Sequence, residues 1–179
     1  MNLKAEENLR AVRTVTDSKG VSRRIMLTGA VDAGKTTLMK ALFRDEPVSM
    51  EKDKTQSMDY DSEAIDTPGE FTALPYIGKG ALLATSLEAD LILFLHDATT
   101  GYIQFPPGFA IAFPRRSIGV VTKIDHPDAN VKRGVDIIRN VCVSDPNHIF
   151  CVSAKTGEGI RELREYIDKA LEEGIRYRV

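Results

Sequence analysis

The chain has 179 residues, a length that fits one domain with a single hydrophobic core. Hydrophobic residues make up 42% and charged residues 28%, and the formal net charge of −2 gives no electrostatic reason to expect nucleic acid or an anionic membrane as a partner. Two cysteines are too few for a secreted disulfide framework, and no segment resembles a signal peptide or a transmembrane helix. We therefore expect a cytoplasmic protein.

The N-terminal arm, residues 1–22, is more polar than the rest of the chain. Its apolar residues lie loosely on one side of a short predicted helix: Ala5, Leu9, Val12 and Val15. Two interpretations stay open, a helix that docks or targets the protein and a disordered surface extension. We assign the domain proper to residues 23–179.

From residue 25 onward, short apolar runs typical of strands buried on both faces alternate with helical patterns. The predicted strands are 25–27, 63–65, 91–95, 117–121 and 148–152, and the predicted helices are 36–43, 75–87, 129–142 and 158–173. This alternation predicts an α/β fold with a mostly parallel sheet of about five strands and helices on both faces. Ligands of such sheets bind at the carboxyl ends of the strands.

A phosphate-binding loop follows the first strand of the domain. Residues 29–36 are Gly-Ala-Val-Asp-Ala-Gly-Lys-Thr, the G-x-x-x-x-G-K-T pattern, and a helical pattern begins directly after them. The glycines allow backbone N–H groups to point at phosphates, and the N-terminus of the helix favours negative charge. We expect Lys35 to bridge the β- and γ-phosphates and Thr36 to ligate Mg²⁺.

Two segments further along are candidates for contacts with Mg²⁺ and the γ-phosphate. Residues 66–69 are Asp-Thr-Pro-Gly, directly after a predicted strand, so Asp66 can hold Mg²⁺ through water and the Gly69 N–H can meet the γ-phosphate. Thr55, in a polar run between the loop and Asp66, is the candidate for a switch threonine that contacts both.

Two segments after later strands favour guanine as the base. Residues 122–125 are Thr-Lys-Ile-Asp, so Asp125 can accept hydrogen bonds from the two N–H donors of the guanine edge while the stem of Lys123 covers the ring. Residues 153–155 are Ser-Ala-Lys, and the N–H of Ala154 can meet the guanine carbonyl. Adenine presents the opposite donor pattern at that edge, so the carboxylate disfavours it.

The candidate residues fall into three sets. Those for nucleotide binding are Gly29, Asp32, Ala33, Gly34, Lys35, Thr36, Thr37, Gly69, Thr122, Lys123, Asp125, Ser153, Ala154 and Lys155. Those for catalysis are Lys35, Thr55 and Glu70, and those for Mg²⁺ are Thr36, Thr55 and Asp66.

These motifs resemble those of the Ras-type GTPases. Residues 54–56 (Lys-Thr-Gln), 64–70 (Ala-Ile-Asp-Thr-Pro-Gly-Glu) and 105–110 (Phe-Pro-Pro-Gly-Phe-Ala) resemble, more narrowly, the EutP/PduV family of small GTPase-like proteins of ethanolamine and propanediol utilisation. The resemblance covers roughly residues 23–175. It implies a three-layer P-loop fold, GTP or GDP with Mg²⁺ as ligands, and work with bacterial microcompartments. A shell or enzyme partner would bind the arm or the switch segments.

The chain departs from the commoner Ras-type pattern at several places. Only about ten residues separate Thr55 from Asp66, room for one strand but not for a hairpin, so we expect the antiparallel edge strand of the Ras-type fold to be absent. Thr122 stands where asparagine is usual, and we expect its hydroxyl to take over part of the tethering role with weaker guanine affinity. At Asp32 we hypothesise a carboxylate that helps to hold K⁺ beside the phosphates. Glu70 stands where many relatives have a water-orienting glutamine, which predicts slow hydrolysis.

The sequence leaves three functions open. The leading one is a GTP-binding switch with slow hydrolysis, in which segments 44–56 and 69–85 change conformation when the γ-phosphate is lost. The second is a small-molecule kinase that transfers the γ-phosphoryl group to a carboxylate such as acetate, although no lid or acceptor pocket is evident in the sequence. The third is a non-catalytic scaffold that binds a microcompartment shell through the N-terminal arm.

Overall fold

Five strands form one sheet in the computed structural model, which describes residues 12–16, 22–43, 83–84, 86–141, 143 and 145–173. The strands lie side by side in chain order: β1 (Val12–Thr16), β2 (Ser22–Thr28), β3 (Leu91–Asp97), β4 (Arg116–Thr122) and β5 (Ile149–Cys151). Strands β2 to β5 are parallel, and β1 is antiparallel to β2. The predicted α/β class with a mostly parallel sheet is confirmed.

The helices cover the positions that the sequence predicts. They are α1 (Lys35–Phe43), α2 (Val131–Asn140) and α3 (Ile160–Glu172), with a short 3₁₀ helix at Phe109–Ala112. Residues 83, 84 and 86, near the end of the predicted 75–87 helix, are helical. The rest of that prediction and the predicted strand 63–65 lie outside the described residues.

Helices cover both faces of the sheet, which gives three layers. On one face, α1 and α3 pack against alternate residues of the strands, such as Ile25, Leu93 and Val120. On the other face, α2 and the 3₁₀ helix pack against the intervening residues, such as Met26 and Phe94. Because both faces are covered, the middle residues of β2, β3 and β4 are buried and mostly apolar, which is why these strands could be predicted from the sequence.

The motif at residues 105–110 belongs to the core of the second face. The ring of Phe94 makes edge-to-face contacts with Phe105 at 5.2 Å and with Phe113 at 5.5 Å between centroids. Phe109 stacks on Phe105 at 5.3 Å, and Gly108 has the left-handed φ of 74° that begins the 3₁₀ helix. Aromatic pairs in these geometries stabilise a core beyond their buried area.

Strand β1 is the main difference from the sequence-based expectation. The Ras-type edge strand, whose absence is predicted from the short stretch between Thr55 and Asp66, concerns residues outside the described part of the chain. The sequence predicts a helix or a disordered extension for the arm. The structure instead pairs residues 12–16 with β2, so that Val12 lies opposite Met26 and Thr16 opposite Ser22. The segment is Val-Arg-Thr-Val-Thr, whose β-branched residues favour a strand, and the edge of β2 opposite β3 supplies hydrogen-bonding groups.

Within the described part of the chain, none of the helices is long and apolar enough to cross a membrane.

Candidate functional site

The phosphate-binding loop connects the end of β2 to the start of α1, as its motif predicts. Gly29 lies so close to β3 that a Cβ atom there would be 2.9 Å from the carbonyl oxygen of Leu95. Gly34 and Asp32 have left-handed φ angles of 83° and 61°. The loop therefore passes tightly over the end of β3, and the N–H of Ala33 closes its turn by donating to the carbonyl of Ala30 at 3.2 Å.

Lys35 is the first residue of α1, and its side chain turns back over the loop. Only 8% of the residue is exposed, and its Nζ donates to the carbonyl oxygens of Gly29 at 3.2 Å and Ala30 at 2.8 Å. These two bonds hold the ammonium group where the loop curves. Thr36 and Thr37 follow it in the first turn of α1, with Thr36 exposed.

Asp32 lies on the rim of the loop. Both Asp32 and its neighbour Val31 are exposed, with 59% exposure for Val31. A non-glycine residue with a positive φ is uncommon, and aspartate is one of the residues that tolerate it best. The position leaves the carboxylate accessible from solvent.

Thr122, the last residue of β4, is bonded to the phosphate-binding loop. Its hydroxyl lies 2.8 Å from the carbonyl oxygen of Ala33 and 3.3 Å from that of His96, and the residue is 4% exposed. A hydroxyl has one proton to donate, and the shorter contact identifies Ala33 as the main acceptor. This bond fixes the loop relative to the segment that carries Lys123 and Asp125.

Lys123 is held by Asp97, a residue that the sequence analysis did not single out. Its Nζ lies 2.7 Å from Oδ2 of Asp97, and its backbone has a left-handed φ of 57°. Oδ1 of Asp97 accepts hydrogen bonds from the N–H and the hydroxyl of Thr99 at 2.8 and 2.7 Å. Burial alone would raise the pKa of Asp97, but the bonds from Lys123 and Thr99 hold it below its ordinary value.

Asp125 projects from the same loop and is exposed. The loop is fixed by the N–H of Ile124, which donates to the carbonyl of Val152 at 3.4 Å, and by the N–H of His126, which donates to that of Lys123 at 3.1 Å. Among the described residues the Asp125 carboxylate has no hydrogen bond or ion pair, so it is available as an acceptor.

The segment after β5 forms a tight turn beside this loop. The backbone N–H of Ser153 donates to Glu158 at 2.9 Å, and its buried hydroxyl accepts from the N–H of Thr156 at 3.0 Å. Ala154 is half-buried against the core, and Lys155 is exposed.

The structure thus brings together the predicted residues of three strand ends. The phosphate-binding loop, residues 122–125 and residues 153–155 are linked by the Thr122–Ala33 and Ile124–Val152 hydrogen bonds. Four predicted residues, Thr55, Asp66, Gly69 and Glu70, lie outside the described part of the chain.

The predicted magnesium ligands are all oxygen donors. Hydroxyl and carboxylate oxygens are hard donors that suit Mg²⁺, and Thr36 lies at the helix start where such an ion would meet a phosphate. In the described ranges no cluster of three or more His, Cys, Asp or Glu side chains could hold a metal by itself. The donor set fits Mg²⁺ bound together with phosphate oxygens.

The fold and the loop define a P-loop domain of the GTPase type. The family model described as "Ethanolamine utilisation - propanediol utilisation" (PduV-EutP) matches residues 22–169, and the chain belongs to this family.

Curated relatives and a solved structure agree with this assignment. The chain is 31% identical over 147 residues to the "Probable acetate kinase EutP" of Salmonella typhimurium, which covers 81% of this chain and 89% of the relative. It is 34% identical over 142 residues to the "Propanediol utilization protein PduV" of Citrobacter freundii, which covers 79% and 90%. The structure of translation elongation factor SelB from Methanococcus maripaludis matches with a TM-score of 0.52 and 25% identity over 84% of this chain and 34% of that one.

Proposed function

We propose that this protein binds guanine nucleotides with Mg²⁺ and hydrolyses GTP slowly, as a switch in ethanolamine- or propanediol-type metabolism associated with bacterial microcompartments. The observation that supports this most is the hydrogen-bonded linkage of three strand ends, through Thr122 to Ala33 and through Ile124 to Val152. It joins a phosphate-binding loop to a loop whose exposed aspartate has no hydrogen bond or ion pair among the described residues.

The phosphate end of the site uses the loop and the start of α1. The N–H of Gly34 and the ammonium of Lys35 would contact the phosphates, whereas the N–H of Ala33 donates to the carbonyl of Ala30 at 3.2 Å and helps to close the turn of the loop. Thr36 with Thr55 and Asp66 would hold Mg²⁺. Lys35 is already held inside the curve of the loop by two carbonyls. A phosphate there would replace these neutral acceptors with charged ones, which form stronger hydrogen bonds.

The base end uses Asp125 as the acceptor for the two N–H donors of guanine. Ala154 offers its backbone N–H to the guanine carbonyl, between Ser153 and Lys155, and the stem of Lys123 covers the ring. A carboxylate opposite adenine would face a ring nitrogen that is itself an acceptor, so ATP binds more weakly.

Slow turnover follows from Glu70. Its carboxylate can accept a hydrogen bond from the attacking water but cannot donate one to the γ-phosphate, and its negative charge opposes that of the phosphate. We expect Glu70→Gln to hydrolyse GTP at least as fast as the wild type. A collapse of the rate would instead make Glu70 the catalytic base.

The Asp32 carboxylate would help to hold a potassium ion beside the phosphates, and the positive charge of that ion would favour GTP hydrolysis. This carboxylate lies on the rim of the loop and is accessible from solvent. The proposal predicts faster GTP hydrolysis in K⁺ than in Na⁺ at equal ionic strength. Equal rates of GTP hydrolysis in the two salts would show that K⁺ does not take part in the reaction.

The name of the Salmonella relative points to a second candidate, a kinase that forms acetyl phosphate. The two functions are separated by incubating the protein with Mg²⁺ and either GTP or ATP, with and without acetate, and measuring inorganic phosphate and acetyl phosphate. We expect slow release of phosphate from GTP, independent of acetate. Acetyl phosphate formed in proportion to nucleotide consumed would make the kinase the correct function, and no turnover of bound GTP would favour a scaffold.

A further inference from the structure

Asp97 lies at the centre of the edge of the sheet where the site is built. It is the last residue of β3, and β3 lies between β2, which leads into the phosphate-binding loop, and β4, which leads into Lys123. Its side chain is 12% exposed, whereas that of Lys123 is 38% exposed. The carboxylate is therefore the fixed member of the pair, and the lysine extends towards it.

The turn that carries Asp97 is anchored on both sides. The N–H of Ala98 donates to the carbonyl of Thr122 at 3.0 Å, and the N–H of Asn130 donates to the carbonyl of Ala98 at 2.8 Å. Thr99 donates twice to Oδ1, which leaves Oδ2 to accept from Lys123 at 2.7 Å. The position and orientation of the carboxylate are thus set before any ligand binds.

We propose that Asp97 is a positioning residue, which holds the ammonium of Lys123 so that the lysine stem is already extended over the place of the base. This inference rests on the proposed nucleotide-binding function. A free lysine side chain loses conformational entropy when it becomes ordered over a ring. Because the ion pair with Asp97 already restricts the side chain before the nucleotide binds, binding costs less entropy. The stem contacts the face of a ring, so Asp97 affects the affinity for any base and not the choice of base.

The test is the dissociation rate of a fluorescent GDP analogue from the full chain with Mg²⁺. We expect Asp97→Asn to release it about tenfold faster, since the asparagine side chain carries no charge and its bond to the Lys123 ammonium is weaker than that of the carboxylate. Lys123→Met should release the analogue at least as fast as Asp97→Asn does. The double variant should release it no faster than Lys123→Met alone, because Asp97 acts through Lys123. Asp97→Glu, which keeps the charge, should release the analogue more slowly than Asp97→Asn.

Asp145→Asn is the matched control. Asp145 is also a partly buried carboxylate in an ion pair, with Arg116 at 3.6 Å, but it lies near Ser117 at the opposite end of β4. Its substitution should leave the release rate unchanged.

Three results would overturn the proposal: an unchanged rate in Asp97→Asn, the same acceleration in Asp145→Asn, or additive effects in the double variant. If Asp97→Asn fails to fold, a comparison of Asp97→Glu with Lys123→Met decides in its place. If the wild type retains adenine rather than guanine nucleotides, the proposed function fails, and the same cycle measured with ADP still decides the role of Asp97.

Discussion

The hydroxyl of Thr122 donates a hydrogen bond of 2.8 Å to the carbonyl of Ala33. These residues are 89 positions apart in the chain and lie on the loops that follow different strands. The bond is buried, and it is the direct link between the loop proposed to bind phosphate and the loop proposed to bind the base. We therefore expect it to affect both stability and nucleotide binding.

Thr122→Val should lower the free energy of unfolding by about 1–2 kcal/mol, because it leaves the Ala33 carbonyl without its buried donor. It should also speed nucleotide release. Chemical denaturation and release kinetics measure the two effects. Thr28→Val is the control, since the Thr28 hydroxyl is buried without a hydrogen-bond partner among the described residues. Equal losses of unfolding free energy and equal release rates in Thr122→Val and Thr28→Val would contradict this prediction.

Lys35→Met should weaken GDP binding at least about a hundredfold, because it removes charge-assisted hydrogen bonds to phosphate oxygens. Calorimetric titration with GDP and Mg²⁺ measures the change. Lys40→Met is the matched control, because Lys40 lies on the same helix and is exposed. Similar affinities for wild type and Lys35→Met would mean that the loop does not bind phosphate.

Stability at alkaline pH should depend on Tyr166. Burial and the hydrogen bond that its hydroxyl donates to Asp145 raise the pKa of Tyr166 from 10.0 to about 12. A group with a raised pKa in the folded state stabilises it fully below the unfolded pKa and loses this contribution as pH rises through the folded pKa. We expect wild-type stability to fall between about pH 10 and 12, with a smaller fall in Tyr166→Phe.

Tyr102→Phe is the control for this pH profile, because Tyr102 is 63% exposed. Its curve should follow that of the wild type. A Tyr166→Phe curve parallel to the wild-type curve across the whole alkaline range would show that Tyr166 does not contribute to the fall.

Gly29→Ala should destabilise the fold by roughly 1–3 kcal/mol, since the added Cβ would lie 2.9 Å from the Leu95 carbonyl oxygen, a backbone atom that cannot move aside cheaply. The measurement is the midpoint of thermal unfolding without nucleotide. Gly157→Ala has open space for its Cβ, with only its φ of 84° as a source of strain, and should cost less. Equal losses in the two variants would argue against a close approach at Gly29.

Much of the architecture could be predicted because the physical signals are local. Strands β3 and β4 are buried on both faces, and each contains an apolar run, Leu91–Leu95 in β3 and Ile118–Val121 in β4. The buried stripe of α3, with Ile160, Leu163 and Ile167, has helical spacing. The motif of the phosphate-binding loop predicts a strand before it and a helix after it, and the structure has β2 and α1 at these places.

Strand β1 and Asp97 could not be predicted, because their roles depend on distant parts of the chain. Val12 and Val15 are three positions apart, which fits a helix as well, and the pairing of this segment with β2 decides for a strand. A single aspartate after a strand is not a motif. Its role as the partner of Lys123 becomes evident only in the folded structure, where the two side chains are in contact although they are 26 positions apart in the chain. The left-handed backbone of Lys123 is likewise seen only in the structure.

The most direct test of the proposed function is competition of GTP, GDP, ATP and ADP for the protein with Mg²⁺, repeated on Asp125→Asn. Asp128→Asn is the control, because Asp128 lies in the same loop with a side chain that is 82% exposed. The account predicts strong preference for guanine nucleotides in the wild type and Asp128→Asn, and a shift towards xanthine nucleotides in Asp125→Asn. Equal or tighter binding of ATP by the wild type would contradict it.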